Sequence, residues 1–268
     1  MLAAHRHTLP PPGPRPVPVE LTDDEALARL LDSESPEAVV HVAALGQANR
    51  CQERPDEAHR VNAVLPGTLG RMCRERGLRL VALSTDLVFG GDRAFVREAD
   101  PPAPLSVYGR TKLAGEEAAL AACPTAAVAR VALTLGRGHG VRGTSTESVA
   151  WALRAGRPVR LFTDEYRTPV DPESLVDALS LLLERGGSGL FHLGGPERIS
   201  RHALGLRVAR ALGLPESGIT AGRQSDHSGP DPRPADVSLD STRARRELGW
   251  KPRPIDEAIR ESRTGPGI

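Results

Sequence analysis

Tyr108 and Lys112 stand four residues apart in the stretch Tyr108-Gly109-Arg110-Thr111-Lys112. On a helix that spacing puts both side chains on one face. A phenol beside an ammonium can give a proton to a carbonyl oxygen. A free tyrosine has a pKa of about 10 and burial raises it, so only a nearby positive charge brings it towards working pH. Lys112 is the residue in place to supply that charge. Ser84-Thr85-Asp86 lies one strand–loop segment earlier. A Tyr–Lys pair at this spacing also occurs by chance in many helices, so its weight depends on the elements around it.

Those elements alternate. Residues 38–44 (AVVHVAA), 79–84 (RLVALS) and 126–133 (AAVARVAL) read as buried strands. Between them, residues 56–76 predict a helix with Ala58, Val61, Leu65, Leu69 and Met72 on one side, which Pro66 either disturbs or starts late. Residues 108–122 predict another. Near-continuous apolar strands alternating with helices mean an α/β fold, a doubly wound parallel sheet covered on both faces. Active groups of such sheets sit just past the carboxyl ends of the strands. Thr85 and Asp86 follow one strand, and Ala43 and Ala44 end another.

The pattern changes after residue 136. A break at 136–140 precedes a helix at 146–155, a strand at 158–162, a helix at 172–184 and a strand at 189–193 (GLFHL). A helix at 200–213 has Ser200 as its cap. Residues 224–236 are polar and Pro-rich, hence a loop, and 241–248 form a short helix ended by Gly249. The Pro-rich run Pro10–Pro18 reads as a stiff surface loop.

The 268 residues carry 35 Lys and Arg against 34 Asp and Glu, a net charge of +1, so no basic excess points to nucleic acid. No run of about 18 apolar residues points to a membrane span, and the N-terminus has no signal-peptide core. Cys51, Cys73 and Cys123 have neither metal spacing nor a disulfide framework, so no metal is expected and the thiols fit a reduced, cytoplasmic setting.

Several segments together resemble the extended short-chain dehydrogenase/reductase family, in its dTDP-4-dehydrorhamnose reductase branch. They are His41-Val-Ala-Ala44, Arg60-Val-Asn-Ala63, Leu83-Ser-Thr-Asp-Leu-Val-Phe89, Tyr108-Gly-Arg-Thr-Lys112, Ala129-Arg130-Val131, Asp164-Glu-Tyr-Arg-Thr-Pro-Val170, His192-Leu-Gly-Gly195, Arg233-Pro-Ala-Asp-Val-Ser-Leu-Asp240 and Ala244-Arg-Arg-Glu-Leu-Gly-Trp250. They cover nearly the whole chain in the right order. The resemblance implies a Rossmann-like dinucleotide-binding domain over 1–137 and a smaller, mainly substrate-binding lobe over 138–268, with some segments returning to the sheet.

It also implies roles. Tyr108 matches the general acid, Lys112 the residue that lowers the Tyr pKa and holds the nicotinamide ribose, and Thr85 the hydroxyl that bonds the substrate oxygen. Hydride addition to a ketone builds negative charge on oxygen, and donors placed there stabilise it. Asn62 matches a helix Asn that orders the catalytic site. Ala43, Ala44, Leu45 and Ser84 fall where the cofactor lies against the strand ends. Asp86, Leu87, Arg130 and Arg167 fall on the substrate side, the arginines suited to a diphosphate or sugar. The implied substrate is a nucleotide sugar and the implied assembly a homodimer.

Two departures stand out. Leu87 occupies the place where the branch usually has a Tyr beside the substrate, which opens sugar specificity and keeps an epimerase or dehydratase reaction in view. The family also begins with a strand, a Gly-rich turn and a helix that cradle the dinucleotide diphosphate, and this chain has none of them. Leu2–Arg6 resembles the family's second strand and Val17–Leu21 its third, with Thr22 capping the next helix. Losing the first, central strand should leave two strand edges unpaired. Three readings follow: a late start codon or truncated gene, which is favoured; a sheet that closes the gap by moving a strand; or a chain kept for a non-catalytic, regulatory role. If a dinucleotide binds, His5 and Arg6 stand where an acidic residue would hold a free 2′-hydroxyl, so NADP(H) is expected over NAD(H).

Overall fold

The computed structural model describes residues 2–5, 13–136, 144–226 and 232–261. Four strands build the main sheet, β3 (Ala38–His41), β4 (Arg79–Thr85), β5 (Ala127–Val131) and β8 (Gly189–Leu193). All pair in parallel in the order β3-β4-β5-β8. The last, β8, comes from the second half of the chain. Helices cover both faces, as continuous apolar strands require. On one side α4 (Leu65–Arg76) and α5 (Val107–Ala122) bury Cys73, Leu80, Cys123 and Ala126. On the other, α7 (Pro172–Arg185) and α9 (Thr242–Leu248) enclose Val81, Ala129, Phe191 and Trp250.

Among the described residues β3 is an edge of this sheet. Strands β1 (Leu2–His5) and β2 (Arg15–Pro18) pair with each other as a separate two-stranded sheet. Among the described residues β3 pairs with β4 alone, so no strand has moved across to close the sheet. Val40 and, just beyond β3, Val42 are exposed, Val42 by 62%. The second strand also lies earlier than expected, at Arg15–Pro18 rather than 17–21. Val19 and Leu21 instead pack with Leu27 and Leu31 of α1 (Asp24–Glu34) against Leu65, Leu69 and Met72 of α4. The cap of α1 is Asp23, whose carboxylate accepts from the Ala26 N–H at 3.0 Å; Thr22 bonds Glu20 instead.

Helix 56–76 is three pieces: α3 (Pro55–His59), a π-helical turn (Arg60–Val64) and α4, preceded by an unpredicted α2 (Ala48–Glu53). Pro66 is the cause in the sequence, since it has no N–H to give the Asn62 carbonyl four residues back. Two glycines of α5 then allow close approach. A Cβ on Gly115 would lie 2.0 Å from the Asn62 carbonyl oxygen, and one on Gly109 would lie 2.3 Å from that of Leu87. The first brings Asn62 to α5; the second presses the start of α5 against the end of β4.

In the second half, α6 (Ser145–Arg154), β6 (Val159–Phe162), β7 (Tyr166–Arg167), β9 (Ile199–Ser200), α8 (Arg201–Ala211), β10 (Ile219–Gly222) and α10 (Ile255–Glu261) form the remaining elements. Strands β6 and β10 pair in parallel, β7 and β9 antiparallel. Ser200 caps α8 as predicted, accepting from the Ala203 N–H at 3.1 Å. No described helix is long and apolar enough to cross a membrane.

Candidate active site

The carboxyl ends of β3 and β4 meet the first turn of α5. Ser106 caps α5 and accepts from the Gly109 N–H at 3.1 Å, which starts the helix at Val107 and sets Tyr108 in its first turn. Thr85 ends β4 and caps a short 3-10 turn over Asp86–Val88, its hydroxyl accepting from the Leu87 N–H and donating to Asp86 Oδ1, both at 3.2 Å. Tyr108 stands in the first turn of α5, where Thr85 and Asp86 both act on its phenol, and Lys112 follows one helical turn later.

Their electrostatics differ from the expectation in one respect. Burial pushes the Tyr108 phenol up to about 12; the Asp86 charge and the Cys51 thiol push the same way, and Thr85 opposes them. Lys112 does not bring it down. Its Nζ donates to the Leu83 carbonyl at 2.6 Å, and burial lowers its own pKa to about 8 against the pull of Glu116. Tyr108 is thus a neutral donor at any working pH. A phenol is still a stronger acid than a secondary alcohol, so giving its proton to an alkoxide stays downhill.

Asn62 acts through others. Its carbonyl accepts from the Leu45 N–H at 2.8 Å; its amide donates to the Leu45 carbonyl at 3.1 Å and to the Thr111 hydroxyl at 3.2 Å. Thr111 in turn donates to the Tyr108 carbonyl at 3.0 Å. One side chain from the π turn therefore fixes the loop after β3 and the start of α5. Cys51 helps from α2, donating to the Leu45 carbonyl at 3.0 Å. Ala43 and Leu45 are half-buried and Ala44 exposed along that loop.

Three buried polar atoms lack a hydrogen-bond partner among the described residues: His41 Nε2, Ser84 Oγ and Asp86 Oδ2. All lie at the ends of β3 and β4, where a ligand would meet them. Sequence reasoning gave His41 no role of its own. It is 5% exposed, and burial together with the Lys112 charge lowers its pKa to about 4. Burial and then Arg130 lower His192 in the same way, to about 3. In both cases the unfolded chain takes up a proton first as pH falls below about 6.5, so the stability gained from neutral rings is full above that value and is lost on the way down. Asp86, raised to about 6 by burial, works in the opposite direction between 3.8 and 6 but is one group against two. The urea midpoint is therefore expected to fall between about pH 7 and about pH 4.5, and to fall less in His41→Gln. Equal falls would mean that His41 is not held neutral by the fold.

On the substrate side a cleft of about 240 Å³ is lined by Asp86, Leu87, Glu165, Arg167, Arg201 and Arg233, among others. Glu165 anchors its arginines: Arg167 at 3.2 Å, Arg233 at 2.8 and 3.0 Å, and Arg201 at 4.0 Å. Three guanidinium groups face two carboxylates, so the cleft is biased towards anions. Arg167 is in place but committed, donating to the Tyr166 and Pro234 carbonyls at 2.7 and 3.3 Å. Arg233, with 40% of its side chain exposed, is the accessible cation. Sequence reasoning placed Arg233 and Glu165 in motifs without assigning them to this wall, and nothing in the sequence marked Arg201.

Arg130 requires correction. It is 2% exposed, lies beneath the sheet, and holds Glu116 through Nε and Nη2 at 2.7–3.1 Å. Its third nitrogen meets His192 at 3.4 Å, and its plane lies 5.0 Å from the Phe89 ring centroid. Buried there against Glu116, it is out of a substrate's reach. His5 ends β1, and Arg6 lies outside the described residues. Among the described residues no cluster of His, Cys, Asp and Glu could hold a metal ion.

The chain is 32% identical over 238 residues to the probable low-salt glycan biosynthesis reductase Agl14 of Haloferax volcanii, covering 86% of this chain and 78% of that one. It is 33% identical over 229 residues to dTDP-4-dehydrorhamnose reductase of Mycolicibacterium smegmatis, covering 84% and 68%. It is also 28% identical over 251 residues to methionine adenosyltransferase 2 subunit beta of Mus musculus, covering 91% and 75%. The fold matches dTDP-4-dehydrorhamnose reductase of Bacillus anthracis, solved in complex with NADP, with a TM-score of 0.85 at 18% identity, covering 92% of this chain and 88% of that one. Residues 2–264 match the family described as RmlD substrate binding domain, and the chain belongs to that family, within the dTDP-4-dehydrorhamnose reductase-like branch of the extended short-chain dehydrogenase/reductases.

Proposed function

We propose that this protein is an NADP(H)-dependent reductase of a 4-keto-6-deoxy nucleotide sugar. The observation that carries the reading is the placing of Thr85 at the carboxyl end of β4 with Tyr108 and Lys112 in the first turns of α5, beside a cleft that favours anions. The dinucleotide supplies hydride when bound. The strand ends fit its nicotinamide half: Ser84 Oγ is an unused buried hydrogen-bonding group, Lys112 lies on the same rim, and Ala43 and Ala44 add no bulk. For the diphosphate half, the described residues hold no glycine-rich cradle. The resemblance puts His5 and Arg6 where an acidic residue would hold a free 2′-hydroxyl, and an arginine there suits a 2′-phosphate, hence NADP(H) with NAD(H) second; the NADP complex of the fold relative supports the same choice.

The chain's own residues then have these tasks. Thr85 and Tyr108 donate to the ketone oxygen, and Tyr108 gives its proton to the oxygen as charge develops there. Lys112 stays cationic below about pH 8 and keeps the rim positive. Arg233 and Arg201 meet the diphosphate of the sugar nucleotide. Arg233→Ala is expected to raise KM for the nucleotide sugar roughly 10-fold or more with kcat within about twofold, since a charge-assisted bond is worth about 1.5–3 kcal/mol. Loss of kcat at unchanged KM would move Arg233 away from binding.

Calorimetric titration with NADPH and then NADH tests the cofactor. Micromolar NADPH binding, tighter than NADH, supports the reading. A second reading has an observation of its own. The likeness to a methionine adenosyltransferase subunit favours a regulatory chain, which a folded protein that binds neither nucleotide would support. Leu87 keeps an epimerase or dehydratase of the same fold in view; nicotinamide retained through purification would favour that.

A further inference from the structure

The substrate cleft is lined by two unlike sets of side chains. One is charged: Arg201 and Arg233, gathered by Glu165. The other is apolar: Leu87 just past β4, Leu105 just before α5 and Leu133 just past β5. A large apolar side chain standing singly on a surface is ordinary, but leucines from three segments meeting at one cleft are not scattered. Leu87 and Leu105 are also close and held. A Cβ on Gly109 would lie 2.3 Å from the Leu87 carbonyl oxygen and 3.0 Å from Cβ of Pro104, the residue before Leu105. Leu87 packs against the core cluster that includes Val88, Phe89 and Ala132, and its N–H donates to the Thr85 hydroxyl at 3.2 Å. Leu105 is 41% exposed, yet its carbonyl accepts from Arg110 at 2.9 Å.

We propose that Leu87 and Leu105 seat the methyl group of a 6-deoxy sugar and so select it over the corresponding hydroxymethyl sugar. The inference rests on the reductase reading. With the ketone oxygen at the Thr85 hydroxyl, the ketone carbon comes to lie beside Leu87, whose N–H is bonded to that same hydroxyl. The anomeric carbon stands across the pyranose ring from the ketone carbon. Its diphosphate therefore points away from Thr85, and the arginines of the cleft can meet it. The ketone carbon then has a ring hydroxyl on one flank and the methyl-bearing carbon on the other. Only one flank can face the leucines. A hydroxyl pressed against them would lose water and gain no hydrogen bond, whereas burying a methyl group there is favourable. The methyl flank takes that side, and the ring hydroxyl turns to the rest of the lining, where Asn49 offers an amide. A hydroxymethyl group in the methyl position would carry a hydroxyl to the leucines and strand it. Leu87 and Leu105 touch the substrate away from the reacting atoms; they set specificity and take no part in hydride or proton transfer.

The test uses the full chain, NADPH and two thymidine diphosphate 4-keto sugars of the same configuration, one ending in methyl and one in hydroxymethyl. Wild type is expected to prefer the methyl sugar in kcat/KM by roughly 10–100-fold, the range an apolar site reaches against one added hydroxyl. Leu105→Asn changes an exposed side chain, so the fold is expected to survive. The variant is expected to cut the preference by about fivefold or more. Leu105→Met stays apolar at similar volume and is expected to keep it. An unchanged preference in Leu105→Asn, or equal losses in both variants, overturns the proposal. A separate readout covers failure of the reductase reading. Calorimetry without NADPH compares two unreactive ligands, thymidine diphosphate 6-deoxyglucose and thymidine diphosphate glucose. Tighter binding of the first in wild type, lost in Leu105→Asn, with no turnover of either keto sugar would contradict the reductase reading and leave the methyl seat standing. Turnover with equal kcat/KM and equal binding for methyl and hydroxymethyl sugars overturns the seat alone. Binding of neither ligand overturns both.

Discussion

Tyr108→Phe is expected to lower kcat for ketone reduction by roughly 10²–10⁴-fold, the range for loss of a positioned general acid. The substitution removes one oxygen and keeps the ring, so packing at the start of α5 survives. Thr85 keeps its bonds to Asp86 Oδ1 and the Leu87 N–H, so no buried hydroxyl is stranded. Stability should therefore change by about 1 kcal/mol or less. KM for the nucleotide sugar should move little, because the cations of the cleft hold the substrate. Denaturation curves and NADPH titrations run beside the rate measurement separate chemistry from folding. Unchanged turnover in a folded variant would remove Tyr108 from the mechanism.

The largest stability effect is expected at Glu116. Glu116 and Arg130 are each about 3% exposed at the side chain and bonded through three contacts. Glu116→Gln leaves the Arg130 charge buried without its counter-ion, which costs about 3–5 kcal/mol. The double variant Glu116→Met with Arg130→Met removes both charges and should recover most of that loss. The site feels the change as well: Glu116 lies one helical turn from Lys112 and raises its pKa. Without it, Lys112 loses its proton at lower pH, and activity at alkaline pH should fall earlier. Chemical denaturation of the two variants measures the first effect. A loss under about 1 kcal/mol in Glu116→Gln would mean that the pair is more solvated than the fold indicates.

Much of this architecture is legible in the sequence where local chemistry decides it. Residues 79–84 and 189–193 are continuous apolar runs and become β4 and β8 almost to the residue. Helix 108–122 gains its start from Ser106 and its length from Ala, Leu and Glu. Pro66 forecasts trouble in the preceding helix, and the π turn is the form it takes. Residues settled by distant partners escape such reading. Arg130 resembles a substrate ligand because an arginine at a strand end often is one; Glu116, 14 residues earlier on α5, pairs with it inside the fold instead. Lys112 has the right spacing to Tyr108, but the Leu83 carbonyl, 29 residues away, receives its hydrogen bond. The cleft wall is assembled by Glu165 drawing in Arg233 from 68 residues away, and no periodicity encodes that pairing. Strand 38–44 stops at His41 because Asn62 ties the Leu45 backbone away from the sheet. The short α2 has too few apolar positions to announce itself, although Cys51 within it is fully buried.

The measurement that tests the central claim most directly is NADPH oxidation by the 268-residue chain in the presence of a 4-keto-6-deoxy nucleotide sugar, with Tyr108→Phe alongside. The account predicts steady consumption of NADPH that needs both the sugar nucleotide and the Tyr108 hydroxyl. A folded protein that leaves NADPH unchanged, or one whose Tyr108→Phe variant consumes it at the same rate, would contradict it.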